Sequence, residues 1–238
     1  NEKKVLIIDF DAQGNVASSL NVENEKDIYH IMSENADPRQ CIKNLGKNLD
    51  IIPSKETLSK TEVMLAKIPD KEYVLRKKLA NLKGYDYVII DCPPSLSLLN
   101  QNALLYAQEA FIPVSMDYLG FDALMKMTKA IETLNKHFKH NIKITKVIPT
   151  LFDRRNKSCR DYLDKVNNQF YEIASNPIRI NSKLKEAPAY GKSIFSYAKS
   201  SRGAEDYSEL VKSVLHEEER VLSGYKKMEM EKLVEVDD

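Results

Sequence analysis

The sequence predicts an α/β fold: a doubly wound, mostly parallel sheet flanked by helices. Two observations predict it. Short, continuous apolar runs bounded by turn residues recur along the chain, as strands covered on both faces require. Between them lie longer segments with apolar residues at helical spacing, so strand and helix alternate. The 238 residues are 42% hydrophobic and 30% charged, an ordinary globular balance. A chain of this size can bury a large core without covalent staples.

The elements follow in order. Val5-Leu6-Ile7-Ile8 runs straight into Asp9, and Tyr87-Val88-Ile89-Ile90 runs into Asp91 in the same way. Leu49–Ile52, Ala110–Val114 and Ile144–Ile148 are further short β-rich runs. Helical stripes are Tyr73, Leu75, Leu79 and Leu82, then Leu96 to Ala107, then Leu124 to Phe138, then Tyr162, Val166 and Phe170. Asn176 to Ser201, with Pro177, Pro188 and Gly191, reads as loops with short strands. Ser201 to about Leu222 reads as a closing helix. Residues 1–222 are expected to form one domain, and residues 223–238 a charged tail that is a fraying helix or disordered.

Composition excludes several classes. The three cysteines are far apart in sequence, so neither a disulfide framework nor a zinc spacing exists, and a reducing cytoplasm is the default. No apolar run approaches a membrane span, and no signal segment opens the chain. Net charge is +1, but it is unevenly spread. Leu151 to Arg202 holds 11 Lys/Arg and 5 Asp/Glu, whereas Gly203 to Asp238 holds 5 and 11. A basic segment beside an acidic tail suggests a polyanion-binding face. Only 7 glycines occur, so a glycine-rich phosphate loop is not expected inside the chain. Gly46-Lys47-Asn48 lacks the Ser/Thr of such a loop. In Gly191-Lys192-Ser193, Glu186 stands where the first Gly must be and Pro188 interrupts the loop.

The chemistry-bearing residues are carboxylates at strand ends. Ligands of open α/β sheets bind at the carboxyl ends of strands, where Asp9 and Asp91 fall, with Asp11 two residues on. Carboxylates are hard oxygen ligands, and one or two of them plus substrate phosphates is a usual magnesium site. Four apolar residues and an Asp also form the Walker B pattern of nucleotidases. The competing reading is that Asp simply ends strands as a cap or turn residue.

Val5–Asn15 resembles the second nucleotide motif of the ParA family, the deviant-Walker ATPases of DNA partitioning. Tyr85–Leu96 resembles their Walker B segment with the turn after it. Ile178–Ser193 is similar to their adenine-side loop, and Ser200–Tyr207 to the start of their last helix. The resemblance spans Lys4 to about Leu215. Family members begin with a strand, a Lys-Gly-Gly-x-Gly-Lys-Thr-Thr loop and a helix before the position of Val5. That strand–loop–helix is absent here, and Asn1 is not Met, so a truncated start is expected. The truncation is expected to leave unpaired strand edges and exposed apolar surface, and to make the chain poorly active.

The resemblance implies ATP and Mg2+ as cofactors and an ATP-dependent homodimer. It implies that Asp11 orients the attacking water and that Asp9 and Asp91 sit near magnesium. Arg179, Asn181 and Pro93 would lie on the nucleotide side. It also implies sequence-independent DNA binding at Arg155 and Lys183, with Arg154 and Lys157 as neighbours, and a ParB-like centromere-binding partner. The expected place is cytoplasmic and nucleoid-associated. Two alternatives stay open: a non-enzymatic ParA-like DNA-binding or regulatory module, and a MinD-like positioning ATPase. MinD-type proteins end in a basic membrane-surface helix, whereas His216–Arg220 and Glu235–Asp238 are acidic, so no membrane partner is expected. His137 and His140 read as favourable charge at a helix end rather than metal ligands. Cys92 reads as a small buried residue.

Overall fold

The computed structural model describes residues 2–95 and 97–234, and of residues 221–234 only the backbone. Leu96 of the segment after the Walker B pattern and the acidic end at 235–238 lie outside the described residues. The order is β1 (Val5–Asp9), α1 (Asn15–Ser19), α2 (Ile28–Glu34), β2 (Lys43–Gly46), β3 (Leu49–Ile52), α3 (Ser59–Leu65), α4 (Val74–Lys78) and β4 (Tyr87–Asp91). Then follow α5 (Leu98–Tyr106), β5 (Glu109–Ser115), α6 (Tyr118–Phe138), β6 (Lys143–Thr150), α7 (Lys157–Gln169), α8 (Ser182–Glu186), α9 (Ile194–Tyr197) and α10 (Arg202–Val234).

The strands form two sheets rather than one. The first has the order β2-β3-β1-β4, with β1 parallel to both β3 and β4 and β2 antiparallel at the rim. The second is the parallel pair β5-β6. Among the described residues, β4 and β5 therefore each keep one unpaired edge. Cover on both faces holds for β1 and β3 but fails at β4 and β5. Ile89 is 54% exposed and Phe111 44%. An apolar run makes a strand, but burial depends on what packs beside it.

The main core lies against the first sheet, around Leu6, Ile8, Phe10, Ile28, Ile31, Ile52 and Leu75. A second core joins Val114 and Val147 to α6 and α7 through Leu124 and Val166. A third packs Leu105 of α5 on Ile131 and Leu134 of α6. Polar side chains set the helix starts. Asp117 accepts from the Gly120 amide at 2.8 Å to open α6, and Asn156 accepts from Ser158 at 2.9 Å to open α7.

The segment 176–201 corrects the expectation of loops with short strands. Asn181 and Ser193 cap two short helices, α8 and α9, with a 3-10 turn at Ala187–Tyr190 between them. Its strand-like element is an isolated bridge between Phe152 and Arg179. α10 runs past Leu222 and through Gly224, further than the sequence suggests. Its Glu217 meets Lys146 of β6 at 2.6 Å, and its Glu218 meets Lys3 at 3.3 Å and accepts from the Tyr87 hydroxyl of β4. Among the described residues, no helix is long and apolar enough to cross a membrane.

Candidate active site

β1 and β4 lie parallel in a register that sets Asp9 directly beside Asp91. The Phe10 amide donates to the Asp91 carbonyl at 2.8 Å and carries the pairing just past the two acids. The chain then turns back. Gly14 takes φ +62°, and a Cβ there would come within 2.8 Å of the Ser54 carbonyl oxygen. This turn needs glycine for both its conformation and its close approach.

The three acids are not equivalent. Asp9 is fully buried. Its Oδ1 accepts from the Asp11 amide at 3.3 Å, and its Oδ2 accepts from the Val16 and Ala17 amides at 3.1 and 3.3 Å. Asp9 thus satisfies the orphan donors of the first turn of α1. Asp11 leaves the strand and accepts from the Gln13 amide at 3.0 Å. Asp91 makes no side-chain hydrogen bond among the described residues. Burial pushes the Asp9 carboxyl upward, against the pull of its amides, and Asp11 adds to the rise. Asp91 is also raised, first by the protein mass around it and then by the charges of Asp9 and Asp11. The three carboxylates share one rim and repel one another.

That repulsion is what a divalent cation would relieve. The donors are hard oxygens, as magnesium prefers. Yet Asp9 is committed to amides, and among the described residues no group of three or more His, Cys, Asp or Glu could hold a metal. The set fits magnesium shared with phosphate oxygens and water, and does not fit an all-protein cage.

The turn after β4 is tied down by a residue the sequence reading missed. Asn100 of α5 donates through Nδ2 to the Pro93 carbonyl at 2.8 Å and to the Ser95 carbonyl. Its Oδ1 is buried without a partner. Nothing local in the sequence separates Asn100 from the neighbouring Asn102, which instead accepts from the Leu75 amide at 3.0 Å. Cys92 corrects another expectation: it is exposed, not buried. The surrounding protein, then Asp91 and Asp11, push its thiol up to about 12. The thiol stays protonated at neutral pH and is a poor nucleophile.

The other singled-out residues gather in a second group. Arg179 is held by Asp206 and Glu205 of α10, with Nη2 at 2.8 Å from Glu205. These partners raise its pKa further. Asn181 caps α8 by accepting from the Lys183 amide at 2.8 Å. Arg155 is 89% exposed and grips Asp153 with Nε and Nη2 at 3.0 and 2.9 Å. That pairing brings Asp153 down to about 2. The Arg154 carbonyl accepts from Arg160, and Lys157 begins α7, so three of the four basic candidates sit in one turn after β6. Lys183 lies in α8, paired with Glu186 at 2.8 Å. The Phe152–Arg179 bridge joins the two segments.

A family model described as an AAA domain matches residues 1–144. The sporulation initiation inhibitor protein Soj of Bacillus subtilis is 36% identical over 218 residues, covering 89% of this chain and 86% of Soj. This chain belongs to the ParA/MinD family. A solved cobyrinic acid a,c-diamide synthase of Mycobacterium smegmatis, with bound ATP analog and magnesium, matches this ParA-family chain with TM-score 0.75 and 26% identity. It covers 90% of this chain and 82% of its own. The apo McdA structure from Cyanthece has TM-score 0.80 at 22% identity, over 90% of this chain and 88% of its own, and shows the shared fold. The ParA-family chain therefore has a P-loop NTPase fold, and its relatives include the chromosome-partitioning ATPase Soj of Treponema pallidum, 32% identical over 216 residues, 90% of this chain and 85% of that one.

Proposed function

We propose that this ParA-family protein, at the full length its gene encodes, binds ATP with Mg2+, dimerises on ATP and hydrolyses it. We further propose that it coats DNA without sequence preference and segregates a plasmid or chromosome with a ParB-like partner, in the cytoplasm on the nucleoid. One observation carries the reading: Asp9 and Asp91 stand in register on neighbouring parallel strands, with Asp11 close enough to raise both. A bound magnesium ion would neutralise phosphate charge and relieve this repulsion. Asp9 holds the turn and α1 in place through three amide hydrogen bonds. Asp91 offers its carboxylate at the rim. Asp11, fixed by the Gln13 amide, orients the attacking water and takes part of its proton's charge.

Pro93, in the turn held by Asn100, borders the nucleotide. Arg179 and Asn181 belong to the base side. Asn181 accepts through Oδ1 within its own helix cap, which leaves its amide Nδ2 to face a base. Arg154, Arg155, Lys157 and Lys183 supply contacts to DNA phosphates, which are blind to sequence and sensitive to salt.

The test is Asp11→Ala in the protein at the full length its gene encodes. Steady-state turnover should fall by about 100-fold or more. Binding of ATP and the ATP-bound dimer should persist, measured by equilibrium titration and by sedimentation. Turnover at the unsubstituted rate would remove Asp11 from the chemistry.

A further inference from the structure

The base-side loop is gripped at a residue the reading above leaves unexplained. Asp206 sits on the second turn of α10 and is 6% exposed. It accepts from the backbone amide of Arg179 at 2.9 Å and from the Arg179 Nε at 3.0 Å, and the Nη2 of the same guanidinium reaches it as well. One carboxylate thus holds both the main chain and the side chain of one loop residue. A guanidinium fork on a carboxylate fixes orientation as well as distance, which a lysine could not do.

The loop is held from its other side too. The Phe152 amide donates to the Ile178 carbonyl at 3.1 Å, and the Ile180 amide donates to the Phe152 carbonyl at 3.0 Å. Ile178 to Ile180 is therefore clamped between the end of β6 and α10, and Asn181 follows directly as the cap of α8. Close approach of α10 depends on Gly203, where a Cβ would lie 2.7 Å from Leu184 Cγ of α8. Two restraints on three residues leave Asn181 little freedom. Such preorganisation lowers the ordering cost of binding a base.

We infer that Asp206 is a positioning residue: through Arg179 it sets where Asn181 meets the nucleotide base, and so sets the preference for adenine. The inference rests on the ATP-binding reading above. It adds that base selectivity is controlled from α10, from a carboxylate that does not touch the nucleotide.

The experiment compares the unsubstituted protein with Asp206→Asn and Arg179→Ala at full encoded length. Fluorescent ATP and GTP analogues are the probes, read by equilibrium titration. Asp206→Asn keeps the size of the side chain and removes its charge. The expected result is ATP affinity weakened by ~10-fold and GTP affinity nearly unchanged, because only the base contact is disturbed. The double variant Asp206→Asn/Arg179→Ala should lose no more than the worse single one, as a coupled pair requires. A melting curve confirms that each variant is folded. A folded Asp206→Asn with an unchanged ratio of ATP to GTP affinity overturns the inference. Equal weakening of both nucleotides also overturns it, because that marks a general structural defect. If the unsubstituted protein binds neither nucleotide, the functional reading itself fails, a result distinguishable from the other two.

Discussion

β1 and β4 are almost the same strand in sequence, Val-Leu-Ile-Ile-Asp and Tyr-Val-Ile-Ile-Asp, and they lie side by side. Their surroundings differ. β1 has a strand on each side, and Leu6, Ile8 and Asp9 are fully buried. Among the described residues β4 has a neighbour on one side only, and its Ile89 is 54% exposed. The two terminal acids diverge accordingly. Asp9 spends its oxygens on amides and serves the fold, whereas Asp91 makes no side-chain hydrogen bond among the described residues. One short motif, placed twice, yields a committed carboxylate and an open one.

The largest test of this contrast is a pair of truncations. Ile8→Ala removes a fully buried side chain from the main core and should cost about 2–5 kcal/mol of unfolding free energy. Ile89→Ala on the neighbouring strand should cost less than about 1 kcal/mol. Chemical denaturation measures both, and equal losses would erase the distinction between the strands. Next comes Asp9→Ala, which strands three amides in a buried turn. The loss of stability should be about 2 kcal/mol, even though removing a raised carboxylate relieves some repulsion. Asp9→Asn should recover part of that loss, since it retains one acceptor.

The smallest effect has the opposite sign. Asp91 has a raised pKa in the fold, so ionising it costs the folded state. The stability that goes with its neutral form is fully present below the ordinary carboxylate value and is lost as pH rises through the raised one. Asp91→Asn should therefore stabilise the ligand-free protein at neutral pH, by only a few tenths of a kcal/mol because the residue is exposed and screened. Melting curves at descending pH should show that advantage fade as Asp91 itself becomes protonated. An advantage that persisted in acid would mean that repulsion at the rim is not its cause.

Much of the first sheet could be read directly. A run of four apolar residues followed by Asp is a local signal, and it found both β1 and β4. Which strand would be central could not be read, because that depends on neighbours remote in sequence. α1, α3 and β2 are too short to show a period. Among the acids, sequence placed Asp9, Asp11 and Asp91 on one rim, but only the return of the chain at Gly14 shows that Asp9 is occupied. Arg179 and Asp206 lie 27 positions apart, so no spacing rule joins them. Asn181 and Ser193 are residues of cap type, but Pro177 and Pro188 nearby are loop signals, and helices as short as α8 and α9 show no period against them.

The bonds of α10 bear on how the chain comes into being. Lys3 reaches Glu218 across 215 positions, and Tyr87 finds the same carboxylate. A ribosome must release 215 further positions before Lys3 can meet this partner. The strands of the first sheet lie within residues 5–91, but their fastening through this helix waits until Glu218 has emerged.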